Sequence, residues 1–112
     1  MPSPIGKSIW KMRKYRTFDA LKDDYFREHP EEIDDFLTIV FEEYAKDGDT
    51  SALLASLRTV SRVKGITAIA EETGISRNGV QKALSENGNP QFESINSILH
   101  AIGYSLMPQR LR

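Results

Sequence analysis

The chain has 112 residues, 39% of them hydrophobic, which suits one domain with a modest core and argues against disorder. It has no cysteine, which excludes disulfides and thiol chemistry, and no apolar run long enough to cross a bilayer. The formal net charge of −1 conceals three blocks: residues 1–16 carry five basic groups and no acid, residues 17–49 carry three basic and twelve acidic groups, and residues 50–112 carry seven basic and four acidic.

In chain order, residues 1–16 read as a basic N-terminal arm. The opening Met-Pro-Ser-Pro-Ile-Gly-Lys lacks the apolar core of a signal peptide, so a cytoplasmic protein is expected. Pro2, Pro4 and Gly6 disfavour helix; Lys7, Lys11, Arg13, Lys14 and Arg16 follow, with Trp10 among them. Such an arm touches phosphate, folds on a partner, or frays with Trp10 tucked against the domain.

Residues 17–48 read as an acidic helical front segment packed on the core. A first helix covers about 17–28, with Thr17 as its cap and Phe18, Leu21 and Tyr25 on one face. A second begins near Pro30, a residue suited to a first helical position, with Glu31 and Glu32 at its positive end. Ile33, Phe36, Leu37, Val40, Phe41 and Tyr44 form its apolar stripe. Any part of that stripe the small domain cannot cover is a subunit or partner surface. The acidic block, net −9 over residues 17–49, either faces away from a polyanion or binds something basic; a solvated helix face is the plain alternative.

Residues 49–107 read as the domain proper, with 108–112 as a tail. Leu53, Leu54, Leu57, Val60 and Val63 mark a helix over about 50–63. Gly65 breaks it. Arg62 and Lys64 beside the break are candidate phosphate contacts, although cations also favour a helix C-terminus for local reasons.

Residues 66–84 carry the pattern the rest is organised around: two short helices with a tight turn. Ile66, Ile69 and Ala70 give the first an apolar face; Gly74 allows the turn, Ile75 plugs into the core, and Ser76 caps the second. Val80, Ala83 and Leu84 then line one face, and Arg77, Asn78, Gln81 and Lys82 the other. A helix-turn-helix has this layout, and so does an ordinary αα-corner. The polar face suits base reading, because Arg bridges G O6 and N7 while Asn or Gln bridges A N6 and N7. Arg77, Asn78, Gln81 and Lys82 are therefore the candidate base contacts on double-stranded DNA. Ser76, Arg62, Lys64, Asn87 and Asn89 are the candidate backbone contacts. Ile69, Ala70, Gly74, Ile75, Val80 and Leu84 form the expected core of the unit. Gly79 departs from the pattern, since mid-helix glycine costs about 1 kcal/mol of propensity.

Asn87-Gly88-Asn89-Pro90 is a turn. A last helix spans about 90–102, with Phe92, Ile95, Ile98, Leu99 and Ile102 inward and Gly103 as its stop. Tyr104 to Met107 alternates as either a short C-terminal strand or an extended packed tail. The whole is expected to be all-α, with five to six helices.

Catalytic chemistry finds no constellation. His29 and His100 lack ligand spacing, so no metal or cofactor is expected. Asp23, Asp24, Glu31, Glu32, Asp34 and Asp35 read as helix-surface charge, and Ser76 has no base beside it. A non-enzyme is expected.

The segments Leu57-Arg58-Thr59-Val60, Ile69-Ala70-Glu71-Glu72-Thr73-Gly74-Ile75-Ser76-Arg77 and Lys82-Ala83-Leu84-Ser85-Glu86-Asn87-Gly88-Asn89-Pro90-Gln91-Phe92 resemble the probable addiction-module antidote proteins over roughly residues 17–107. The resemblance implies a DNA-binding domain of the Cro and lambda-repressor type, usually dimeric. It implies an antitoxin that neutralises a basic toxin of the ParE and RelE group and represses its own operon. On that reading residues 17–49, with Trp10, contribute to the toxin surface by charge complementarity. A stand-alone transcriptional regulator, or an interaction module that does not bind DNA, are the alternatives.

Overall fold

A computed structural model describes residues 16–111, with side chains from Ala20 onward. The basic arm with Trp10, and the side chains of Thr17 and Phe18, lie outside what is described. Among the described residues six α-helices follow one another: α1 (Arg16–Glu28), α2 (Ile33–Asp47), α3 (Thr50–Lys64), α4 (Ile66–Thr73), α5 (Arg77–Ala83) and α6 (Phe92–Ala101). A 3-10 turn at Pro30–Glu32 leads into α2. There is no strand among the described residues.

The middle of the molecule is α3, whose buried residues lie on more than one of its faces. Leu54, Leu57 and Val60 are buried, and so are Ser56 and Thr59. Those two hydroxyls donate to carbonyls four residues back, Ala52 at 3.0 Å and Ala55 at 3.2 Å, so they enter the interior without stranding a polar atom. The Asp49 carboxylate caps the helix by accepting from the Ala52 amide at 3.1 Å. Around α3 pack α1, α2 and α4; α5 and α6 lie against α4.

The inward face of α1 differs from the expected one. Leu21 is 55% exposed, whereas Lys22, Asp23 and Phe26 are buried. Phe26 meets Phe36 of α2 with ring centroids 4.8 Å apart. Asp23 accepts Nε and Nη2 of Arg62 at 2.7 and 3.1 Å. A two-point ion pair therefore occupies the α1–α3 contact where an apolar stripe was expected, and it turns the helix by about one position. Asp23 is not surface charge. Neither is Glu32 simply so: it accepts from the Tyr25 hydroxyl at 2.6 Å, tying α1 to the turn that follows.

The apolar stripe of α2 starts inside and finishes outside. Ile33, Phe36 and Leu37 are buried, Val40 and Phe41 are half-buried, and Tyr44 is exposed. Phe92, expected inward, is 74% exposed because it opens α6 more than one turn before the helix reaches the core at Ile98 and Leu99. After α6, the Tyr104 amide reaches back to the Leu99 carbonyl at 2.8 Å across Gly103, which has φ +98°. The Tyr104 hydroxyl then donates to Asp34 of α2. From there the chain runs extended. Tyr104 and Leu106 are half-buried, Ser105 and Met107 exposed, but no second strand lies beside them, so the short C-terminal strand does not form.

Candidate nucleic-acid interface

The chain leaves α4 at Gly74, whose φ of +77° is one that a side chain would strain; its amide reaches the Ala70 carbonyl at 2.9 Å. The Thr73 hydroxyl donates to the Ile69 carbonyl at 2.8 Å and accepts from the Ile75 amide at 3.1 Å, which fixes the turn from its side. Ser76 has extended backbone and its hydroxyl accepts from the Gly79 amide at 2.9 Å, capping α5.

Gly79 then acquires a reason that helix propensity does not supply. A Cβ at that position would stand 2.7 Å from Ile75 Cγ2 and 3.1 Å from Ser76 Oγ. Ile75 is β-branched and stiff, so it has little room to move aside. The missing side chain lets the turn residue and the cap close against α5.

At its other end α5 is held from α3. Arg58 Nη1 donates to the Leu84 carbonyl. The Ser85 hydroxyl donates to the Lys82 carbonyl at 2.8 Å, and Gly88 fits so closely that a Cβ there would lie 2.7 Å from the Ala83 carbonyl oxygen. Arg58 was not among the candidate site residues. Nothing local in the sequence marks it, because its acceptor is 26 residues away.

With both ends fixed, the two faces of α5 separate cleanly. Val80 and Leu84 are wholly buried, Ala83 is half-buried, and Ile69 of α4 is buried beneath them with Ala70 and Ile75 packed alongside. Arg77, Asn78, Gln81 and Lys82 are all exposed, with Ser76 beside them. None of these four side chains makes a hydrogen bond or ion pair to another described residue. Lys64, Asn87 and Asn89 are exposed as well. Arg62 is half-buried, with its guanidinium on Asp23. Glu71 and Glu72 are exposed on α4.

His29 is less isolated than its spacing suggested. Its ring and the carboxylates of Glu31 and Glu32 lie within 4.8 Å of one another around the 3-10 turn. The same groups are engaged internally: His29 Nδ1 lies 3.4 Å from Glu31, and Glu32 takes the Tyr25 hydroxyl. His100 is exposed on α6. No described helix is long and apolar enough to cross a membrane.

The sequence model of the family described as probable addiction module antidote protein matches residues 14–109. An uncharacterized protein of Haemophilus influenzae is 32% identical over 97 residues, which covers 84% of this chain and 96% of that protein. No solved structure matches.

Proposed function

The chain belongs to the probable addiction module antidote protein family, and on that premise we propose that it is an antitoxin that binds a basic toxin and represses its own operon as a dimer. The unit from α4 to α5 acts as a helix-turn-helix of the lambda-repressor type. In this reading α5 enters the major groove. Arg77, Asn78, Gln81 and Lys82 address base edges, while Ser76, Lys64, Asn87 and Asn89 position the phosphate backbone. Arg62 would have to leave Asp23 to join them. The acidic front half, α1 and α2, meets the toxin, whose basic surface it complements.

One observation carries the reading: a short helix and its cap bury Val80 and Leu84 completely, while four side chains of DNA-reading type stand exposed on its other face with no partner among the described residues. An exposed polar helix face serving solubility alone would need no such clamping at both ends.

The test is binding to the DNA upstream of its own gene against random duplex at physiological salt. The expected result is preference for the upstream fragment. Arg77→Ala should weaken that complex by about tenfold or more and flatten the preference. Lys64→Ala should weaken all duplexes alike and reduce the salt slope by about one. Equal affinity for both DNAs would end the repressor reading, and failure to copurify with the product of the neighbouring gene would end the antitoxin reading.

A further inference from the structure

The stripe of α2 that outruns the core does not end on a flat surface. Between α2 and the extended tail after α6 lies a groove of about 860 Å³. Leu37, Phe41, Leu99 and Leu106 form its apolar lining, and Asp34 and Glu42 stand among the residues around it. The α2 side runs from Asp34 to Lys46, twelve helical steps or about 18 Å, a little over three turns. The tail wall is fixed at its root by the Tyr104–Asp34 hydrogen bond and the Tyr104–Leu99 amide contact.

Charge selects among occupants. The groove itself is lined by Asp34 and Glu42 against a single Lys46, and its tail wall adds no charged residue. A second copy related by a two-fold axis would bring this weakly acidic lining against itself, which like charge opposes. A basic segment gains on both counts, apolar side chains into the floor and cations onto the rim. The groove's straight helical wall and its length suit a helix laid lengthwise, with anchors at positions i, i+3 or i+4, and i+7.

We propose that this groove is where the toxin docks, through a basic amphipathic helix of about three turns. The proposal rests on the antitoxin reading and adds to it a surface and the chemistry of its occupant. It also separates the two binding events. α2 packs on α3 and on the 3-10 turn, whereas α5 packs on α4 and α6, so a helix in the groove leaves the exposed face of α5 open. Toxin and operator can then be held together.

The test is titration calorimetry of the full chain with the protein encoded beside it in the genome. Glu42, Lys46 and Met107 are all exposed, so substitutions there leave the core intact. Glu42→Lys and Met107→Lys should each weaken binding about tenfold. Lys46→Glu should tighten it severalfold, a gain that misfolding cannot mimic. Amide shift mapping on the unaltered chain should move Thr38, Glu42 and Met107 and leave Arg77 to Lys82 in place. If the unaltered chain binds the neighbour while all three variants bind it equally well, the groove is overturned and the antitoxin reading stands. If the unaltered chain does not bind the neighbour, both fall. If Met107→Lys instead dissolves a self-associated form with toxin affinity intact, the occupant is a second copy and the proposal is wrong.

Discussion

In α1, α2 and the turn between them, three carboxylates hold the fold together: Asp23 receives Arg62, Glu32 receives Tyr25, and Asp34 receives Tyr104. In α5, the four polar side chains at its exposed face hold no other described residue. Both regions would be described from composition as charged helix surface. They differ in whether the polar group already has a partner. An engaged carboxylate has given up some of its freedom to the fold, and where it is buried, as Asp23 is, removing its partner leaves a desolvated group behind. An unengaged Arg or Asn keeps that freedom, and can give it to a ligand. The contrast suggests that binding capacity in this molecule is located by asking which polar side chains have no intramolecular partner.

Arg62 gives the sharpest test of that distinction, because spacing alone placed it among phosphate contacts while the structure gives it to Asp23. If it belongs to the fold, Arg62→Ala should destabilise the protein by about 2 kcal/mol, a fall of about 10 °C in melting temperature. Asp23→Ala should cost a similar amount, and the double variant less than the sum. The folded fraction should bind DNA with unchanged affinity and salt slope. A variant that melts normally yet loses affinity for every duplex would return Arg62 to the reading half.

Gly79 tests the other side of the comparison. By propensity alone, Gly79→Ala should stabilise α5 by about 1 kcal/mol. The 2.7 Å approach to Ile75 Cγ2 predicts the opposite sign. We expect a net destabilisation of about 1 kcal/mol, from overpacking against a stiff side chain. Operator affinity should fall further than the melt, since the turn that aims α5 is what gives way. A more stable variant with full affinity would show that the turn has slack.

How much of this was legible depended on the range of the interaction. The helices α3, α4 and α5 follow from apolar spacings of three and four residues. The Ser76 cap and the Gly74 turn follow from the chemistry of neighbouring backbone. Those causes act within one turn of chain, and the sequence displays them. Local spacing misses the phase of α1, because Asp23 finds its partner 39 residues away and no local pattern announces a buried ion pair. Phe92 was placed inward because its spacing to Ile95 is helical; spacing does not say that the helix starts outside the core. Gly79 looked like a defect until Ile75 was seen against it. For the candidate site, the residue types on α5 were readable, whereas the Arg58 clamp at its far end was not. The groove beside α2 was foreshadowed only as a surplus of apolar stripe, because its second wall comes from a tail some sixty residues later.

The smallest expected effect concerns the two tyrosines that fasten the front half. The Tyr25 hydroxyl is pushed up to about 12, chiefly by its hydrogen bond to Glu32 and then by burial. The Tyr104 hydroxyl is pushed up to about 12 by burial first and then by its bond to Asp34. A hydroxyl that donates to a carboxylate resists ionising, because losing the proton would set two anions face to face. An unfolded tyrosine titrates near 10. The folded chain therefore holds these protons more tightly than the unfolded one. Their contribution is complete below pH 10 and is lost as pH rises from 10 toward 12. Both side chains are partly solvated, so the loss is about 1 kcal/mol for each. Tyr104→Phe should show that loss at neutral pH and a shallower fall in melting temperature above pH 10. It should also free the root of the tail and weaken toxin binding severalfold while leaving operator binding as it was. Tyr25→Phe should flatten the same alkaline limb without touching the toxin, because its bond closes the α1–α2 junction rather than a wall of the groove.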